Sequence, residues 1–168
     1  VGEWLEKWAE MYMERLEATT QIAYRRILER WTQAIGRVKL AELKPSHIDR
    51  FYAALTSPKH PLSTKPLSSS TVQRHHAVMH RALKMAIRDG LLDRNPLDLV
   101  DRPKTNELDL QLPDMKDVQA QVDALAGTAL YLPVVLALMT GMRQSEVLGL
   151  RWDLVDLEGG VLHVRRVR

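Results

Sequence analysis

The chain has 168 residues, 45% of them hydrophobic, which is enough to bury a core in one or two compact domains. It contains no cysteine, which excludes a disulfide scaffold, thiolate zinc sites and cysteine nucleophiles and fits a reducing cytosol. The longest apolar stretch, residues 129–142, is broken by Pro133 and is too short to span a bilayer. We therefore expect a cytoplasmic protein with no membrane partner. The lack of an initiator methionine predicts that the chain is a piece of a longer protein.

The distribution of charge is more informative than the net charge of +3. Residues 1–105 carry 18 basic and 12 acidic side chains, whereas residues 106–168 carry 6 and 9. No acidic residue occurs between Asp49 and Asp89, a stretch that holds seven Lys or Arg residues and four of the six histidines. A solvated surface normally mixes both signs, so this stretch favours a polyanionic partner over a merely soluble basic helix.

The first hundred residues predict a bundle of four helices. Apolar side chains at helical spacing predict a first helix over about residues 2–16. A second helix is predicted to begin at a cap formed by Thr19 or Thr20 and to end at Gly36. Pro45 opens a short third helix. Three prolines in the next segment predict an exposed loop, residues 57–67.

The fourth helix, capped by the Ser68–Thr71 run and ending near Gly90, is predicted to carry the basic surface. Its apolar face comprises Val72, Met79, Leu83, Ala86 and Ile87. Its opposite face comprises Arg74, Ala77, Arg81, Lys84 and Arg88. Four cations therefore share one side, and the free N–H groups at the start of the helix are suited to phosphate.

Composition predicts a domain boundary after this bundle. Asn95-Pro96 ends the bundle, and the polar, aperiodic residues 101–113 predict a linker between a first domain over residues 1–100 and a second over residues 114–168. The second domain should begin with a helix near Asp114.

An apolar helix follows in the second domain, from Leu130 to Met139, and its all-round hydrophobicity predicts burial on every side. Residues 144–150 predict another helix. Residues 154–157 and 161–167 alternate as a β-hairpin does.

Arg143 is the strongest candidate for chemistry. It follows Thr140-Gly141 at the start of a predicted helix, and Glu146 lies three residues later on the same face. A carboxylate there can clamp the guanidinium, and a rigid arginine can grip a phosphate in bidentate fashion. Spacing alone leaves open a plain surface salt bridge. By contrast, His76 and His80 have no third ligand nearby in sequence, so packing or phosphate contact is favoured over a metal.

The residues around Arg143 resemble the first active-site box of the tyrosine recombinase (phage-integrase) family. The matching residues are Thr140, Gly141, Arg143, Glu146, Leu150, Trp152 and Asp156. Upstream, the order of weaker signatures is similar to that of the family's core-binding domain. These signatures are Thr20 with Tyr24, Ser70-Thr71-Val72, Gly90-Leu91-Leu92 and Asn95-Pro96.

The resemblance implies a mainly α fold: an N-terminal four-helix SAM-like core-binding bundle, a linker and the beginning of an α+β catalytic domain. Arg143 would contact the scissile phosphate and Glu146 would orient it. The family uses a tyrosine nucleophile and a lysine acid, with no metal and no cofactor. We expect the later catalytic boxes to lie beyond this chain and none of its four tyrosines to replace the nucleophile. The fragment should therefore bind DNA without cleaving it.

The resemblance also implies double-stranded DNA as the partner and a homotetramer on DNA for the full-length recombinase, a phage or prokaryotic mobile-element protein associated with the nucleoid. The implied DNA contacts come from the second and fourth helices: Thr19, Gln21, Arg25, Arg26, Lys65, Ser69, Thr71, Arg74, His75, Arg81 and Lys84. Of the polar side chains on these helices, those able to reach base edges are Gln21, Gln73 and Arg74. Possible backbone contacts in the second domain are Arg151, Arg165 and Arg166.

Two other functions remain open from the residues alone. A non-catalytic helical DNA-binding regulator explains the basic helix but not the residues around Arg143. A helical protein-interaction module makes the basic face incidental. Salt-sensitive binding to duplex DNA would distinguish the protein-interaction module from the two DNA-binding functions, the recombinase and the regulator.

Overall fold

The computed structural model describes residues 1–58, 65–102, 104 and 111–165. Over these residues the chain forms seven α-helices and one two-stranded antiparallel sheet, so the prediction of a mainly α fold is confirmed. The chain divides into two compact units, Val1–Leu108 and Asp109–Arg168. Among the helices in the described ranges, none is long and apolar enough to cross a membrane.

Four helices build the first unit: α1 (Gly2–Met13), α2 (Ala18–Ile35), α3 (Pro45–Thr56) and α4 (Ser69–Arg88). Pro45 begins α3 as predicted, since its missing N–H costs nothing in the first turn. Ser68 caps α4, and its hydroxyl accepts a hydrogen bond from the Thr71 N–H. Part of the predicted loop before α4, residues 59–64, lies outside the described residues.

The start of α2 differs from the prediction. The N-cap is Glu17, so Thr19 and Thr20 lie in the first helical turn and the predicted threonine cap is wrong. The side-chain amide of Gln21 donates instead to the Leu16 carbonyl, and this hydrogen bond connects the helix start to the preceding turn. Helix α1 ends at Met13, three residues before the predicted end.

The four helices enclose one hydrophobic core in which the tryptophans are central. Trp8 and Trp31 are fully buried, and Trp4 is 5% exposed. Burial of an indole N–H is tolerated only with a partner. Trp4 donates to the Ala82 carbonyl at 3.0 Å and Trp31 to the His75 carbonyl at 3.3 Å, and both bonds reach α4. These tryptophans therefore belong to the core and are not a surface for base stacking.

The segment after α4 belongs to the same core. Asn95, itself buried, caps a 3₁₀ turn at Pro96–Leu99 by accepting from the Leu97 N–H, and its amide donates to the His80 carbonyl. Leu97 and Val100 are buried against the bundle. Much of the predicted linker beyond this point lies outside the described residues.

The second unit contains α5 (Met115–Ala124), α6 (Tyr131–Thr140), α7 (Gln144–Leu148), β1 (Val155–Asp156) and β2 (Val161–Leu162). The predicted hairpin is present, with Val155 opposite Leu162, but β2 is short: residues 163–165 are not in a strand. The remainder of the predicted strand, 166–168, lies outside the described residues.

Helix α6 is not buried on every side, and that prediction is wrong. Leu132 is 60% and Met139 is 83% exposed, and Tyr131 is exposed as well. In the described part of the second unit, the main packing partners of α6 are α5 and α7, and much of its surface is left uncovered. Val147 and Leu154 are the buried hydrophobic residues of the described part of this unit.

Candidate nucleic-acid interface and phosphate-binding arginine

The predicted basic face of α4 lies on the surface of the first unit. All five of its members are exposed: Arg74, Ala77, Arg81, Lys84 and Arg88. Arg88 is paired with Asp89 at 3.3 Å. Within the part of the chain that the structure describes, Arg74, Arg81 and Lys84 form no salt bridge. They present uncompensated positive charge along about 15 Å of helix.

Arg81 is held in place by an aromatic side chain of α1. Its guanidinium lies 5.2 Å from the centre of the Tyr12 ring, and its Nη1 donates a hydrogen bond to the Tyr12 hydroxyl. Tyr12 in turn stacks on the buried Trp8, with 4.9 Å between ring centres and 14° between ring planes. The stacked rings of Trp8 and Tyr12 therefore restrict the Arg81 guanidinium. Four of the five N–H donors of Arg81 remain for other acceptors.

Other candidates at the start of α4 have local partners. The Thr71 hydroxyl lies 2.9 Å from the Ser68 hydroxyl, so it takes part in the helix cap. Ser69 is half-buried, and Lys65 is exposed just before the helix.

His75 is buried, contrary to its expected place on the DNA surface. It is 1% exposed, it packs edge-on against Phe51, and its Nε2 lies 3.4 Å from Nη1 of Arg30. Burial and the charge of Arg30 lower the pKa of His75 to about 4. Position 75 falls on the same stripe as Val72 and Met79, three residues after one and four before the other, so helical periodicity alone indicated the core. We leave His75 out of the interface.

The candidates on α2 are divided between surface and groove. Thr19, Arg25 and Arg26 are exposed, and Gln21 is half-buried with its amide bonded to Leu16. Arg25 lines a groove between α1 and α2 that Glu6 also lines. Arg25 therefore lines a different groove from the residues of α4 that carry the basic face.

A cavity of about 550 Å³ opens on the basic face of α4. It is lined by Tyr24, Gln73, His76, Ala77, His80, Arg81, Lys84 and Arg102. Arg102 was not among the residues expected to contact DNA. The Nε2 atom of His80 lies 2.8 Å from a carboxylate oxygen of Asp98. In the described ranges, no group of three or more histidine and carboxylate side chains is arranged to hold a metal ion.

Arg143 lies where two helices of the second unit meet. Helix α6 ends at Gly141, which adopts a left-handed conformation with φ of 68° and closes the helix through its N–H to the Ala137 carbonyl. The Thr140 hydroxyl donates to the Leu136 carbonyl and accepts from the Met142 N–H. The Thr-Gly pair therefore fixes the turn that delivers Arg143 to the N-cap of α7.

Glu146 holds Arg143 at two points. One carboxylate oxygen accepts from the Arg143 backbone N–H at 2.8 Å, and the other lies 3.0 Å from Nη1 of the side chain. The backbone hydrogen bond and then the side-chain hydrogen bond from Arg143 lower the pKa of Glu146. The Arg143 side chain is 83% exposed. The predicted contact is therefore present, and the guanidinium keeps donors directed away from Glu146 for an incoming anion.

The other arginines of the second unit that were predicted to contact the DNA backbone differ in their surroundings. Arg151 pairs with Asp153 at 2.9 Å, and Arg165 is exposed. Arg166 lies outside the described residues.

Comparison with known proteins finds a family match within the first unit. Residues 1–56 match the model for the phage integrase N-terminal SAM-like domain. An integrase of Streptomyces ambofaciens is 29% identical over 126 residues, which cover 74% of this chain and 30% of the relative. A shufflon-specific DNA recombinase of Escherichia coli is 33% identical over 107 residues, which cover 62% of this chain and 28% of the relative. The chain thus spans about a third of the length of these relatives.

Solved structures share the fold over nearly the whole chain. A lambda integrase (75–356) dimer bound to a COC′ core site has a TM-score of 0.77 at 15% identity, covering 94% of this chain and 55% of that one. The Tn1549 transposon integrase (aa 82–397), in complex with circular intermediate DNA, has a TM-score of 0.76 at 20% identity, covering 98% and 53%. The chain is therefore similar to phage integrases over residues 1–56, and over a longer stretch to an integrase and a site-specific DNA recombinase.

Proposed function

We propose that this chain is the DNA-binding portion of a site-specific tyrosine recombinase that breaks and rejoins DNA through a 3′-phosphotyrosine intermediate. Residues 1–100 form its core-binding domain, residues 101–113 its linker and residues 114–168 the first part of its catalytic domain. The observation that carries the proposal is Arg143, which Glu146 holds directly after the Thr-Gly turn. A generic helical DNA-binding regulator has no need of that arrangement.

Arg143 is proposed to bind the non-bridging oxygens of the scissile phosphate. A guanidinium presents paired N–H donors whose geometry matches two phosphate oxygens, and its charge stabilises the negative charge that develops in the transition state. Glu146 is a positioning residue: its carboxylate is kept ionised by the bonds from Arg143 and restricts the arginine before DNA arrives. Restricting the side chain in advance reduces the entropy lost on binding.

We further propose that these 168 residues bind DNA without cleaving it, because Tyr131, the tyrosine in the same unit as Arg143, is not placed to act with it. Tyr131 begins α6 and Arg143 follows its other end, and the ten residues of that helix span about 15 Å. In the first unit, the hydroxyl of Tyr52 is buried against His76 and that of Tyr12 is bound by Arg81.

The partner is proposed to be duplex DNA, which the uncompensated cations on α4 contact through its phosphates. Structural relatives of this chain were solved bound to DNA, among them a lambda integrase dimer. For the full-length recombinase we propose a homotetramer on DNA. We propose that this recombinase, of prokaryotic or phage origin, is associated with the nucleoid.

Salt-dependent DNA binding tests the proposal. Replacing Arg74, Arg81 and Lys84 together with Ala should weaken duplex binding and reduce the slope of log K against log salt by up to about three phosphate contacts. The matched control replaces three exposed cations outside the basic face of α4, namely Arg37, Lys39 and Arg94. Equal slopes for the two triple variants would place the DNA surface elsewhere. Absence of salt-dependent binding by the unmodified chain would favour the protein-interaction module.

A further inference from the structure

The cavity on the basic face of α4, which we call the basic cavity, draws its charge from two separate parts of the first unit. Arg81 and Lys84 come from α4, and Arg102 comes from the segment that follows the 3₁₀ turn at Pro96–Leu99. No aspartate or glutamate is among its lining residues. Three cations with no acid between them favour an anionic occupant.

Arg102 is close enough to buried groups of α3 and α4 to affect their ionisation. Burial lowers the pKa of His76, and the positive charge of Arg102 lowers it further. Burial and Asp49 raise the pKa of Tyr52, and Arg102 acts in the opposite direction. The hydroxyl of Tyr52 lies 2.7 Å from Nδ1 of His76. The charge of Arg102 therefore acts on a hydrogen-bonded pair that joins α3 to α4.

Asp98, a carboxylate in contact with a residue that lines the cavity, is already engaged. Asp98 is 2.8 Å from Nε2 of His80, and in the described residues Arg102 forms no salt bridge of its own. The guanidinium of Arg102 therefore brings an uncompensated charge to the cavity. Arg81 is held at the cavity by Tyr12, so a second donor is already oriented there.

We propose that the basic cavity binds a backbone phosphate of duplex DNA and that Arg102 is one of its contacts, together with Arg81 and Lys84. This inference rests on the proposed function and extends the interface beyond the helices that the sequence indicated. Cations from two elements can surround one phosphate with charge-assisted hydrogen bonds, which a single helix face cannot do. Arg102 follows Val100, a buried residue of the bundle, so a phosphate held there lies against a segment that the core anchors.

The test compares Arg102→Ala with Arg94→Ala in the full 168-residue chain. Both arginines are exposed, both lie after α4 and both substitutions remove one charge, but Arg94 does not line the basic cavity. Fluorescence anisotropy with a labelled duplex across a salt series should show a slope reduced by about 0.9 for Arg102→Ala and an unchanged slope for Arg94→Ala. Arg102→Lys should recover most of the slope, since it restores the charge.

Equal slopes for the Arg102→Ala and Arg94→Ala variants would overturn the inference while leaving DNA binding intact. Failure of the unmodified chain to bind duplex DNA at low salt would instead overturn the proposed function. A second measurement follows the ring signals of His76 and His80 by NMR. At the same DNA concentration, duplex DNA should shift them in the unmodified chain and shift them less in Arg102→Ala. The same shift at equal concentrations of inorganic phosphate would mean a small-anion site and would also overturn the inference.

Discussion

Tyr12 and Arg81 form a contact that joins α1 to the basic face of α4, with the guanidinium 5.2 Å from the ring centre and hydrogen-bonded to the hydroxyl. An arginine at an exposed helical position normally samples many rotamers, and binding must restrict them. Here the restriction is already present in the free protein. The contact therefore prepares one cation of the proposed DNA interface for a phosphate.

Replacing Tyr12 with Phe should weaken DNA binding by about 2- to 5-fold, because the hydrogen bond that orients Arg81 is lost while the ring remains. In an Arg81→Ala background the same replacement should have no effect on affinity. The measurement is a double-mutant cycle on duplex affinity, with thermal unfolding recorded for each variant. If Tyr12 served only to hold α1 against α4, Tyr12→Phe would lower the melting temperature. It would then leave DNA affinity unchanged both in the unmodified chain and in Arg81→Ala.

His75 should make the first unit less stable in acid. Burial and then Arg30 hold its pKa at about 4 in the folded state, below the ordinary value of 6.5, so the unfolded chain binds the proton more readily. Its contribution to stability is complete above about pH 6.5 and is lost as the pH falls from there towards 4. The loss is at most about 3 kcal/mol. His76, whose pKa burial also lowers, acts in the same direction.

The measurement for His75 is the free energy of unfolding at several pH values between 4 and 7. His75→Gln should flatten this dependence, because the glutamine does not titrate. His163→Gln, at an exposed position of the second unit, serves as the control and should leave the dependence unchanged. A dependence equally steep in His75→Gln would show that other groups account for the acid sensitivity.

The structure of α4 illustrates which features a sequence can predict. A 20-residue amphipathic helix repeats its pattern several times, so its cap at Ser68 and its exposed cations were predicted correctly. His75 was misplaced because its polar character was given more weight than its position on the apolar stripe. Arg102 could not be assigned to the cavity, because only the packing of the Pro96–Leu99 turn brings it back to α4.

The second unit shows the opposite limit. The local geometry of Arg143 followed from its neighbours, since a Thr-Gly helix end and a carboxylate three residues later act over a single turn. The burial of α6 did not follow, because burial depends on what packs around a helix and not on its own composition. An apolar helix needs partners to cover it, and the described elements of this unit leave Leu132, Leu138 and Met139 of α6 exposed.

Substitutions in α6 should therefore cost little. Met139→Gln changes a side chain that is 83% exposed, so the free energy of unfolding of the second unit should change by no more than about 0.5 kcal/mol. Val147→Ala, at a buried position of α7, should cost about 1 to 3 kcal/mol. Chemical denaturation followed by a probe in the second unit compares the two. A larger cost for Met139→Gln than for Val147→Ala would restore the expectation that α6 is buried.

The 168-residue chain should form no covalent link to DNA, even with a nicked suicide substrate that traps a 3′-phosphotyrosine product. The tyrosine that shares a unit with Arg143 is Tyr131, which begins α6, a helix about 15 Å long whose other end precedes Arg143. A nucleophile must approach a phosphate held by the arginine to within roughly 3 Å, and a position at the opposite end of that helix is not suited to such an approach. The assay is denaturing electrophoresis of labelled substrate after incubation with the chain and, in parallel, with Tyr131→Phe. A detergent-resistant adduct that disappears in Tyr131→Phe would identify Tyr131 as a nucleophile and contradict the prediction. An adduct that persists would contradict it equally, by assigning the chemistry to a tyrosine of the first unit.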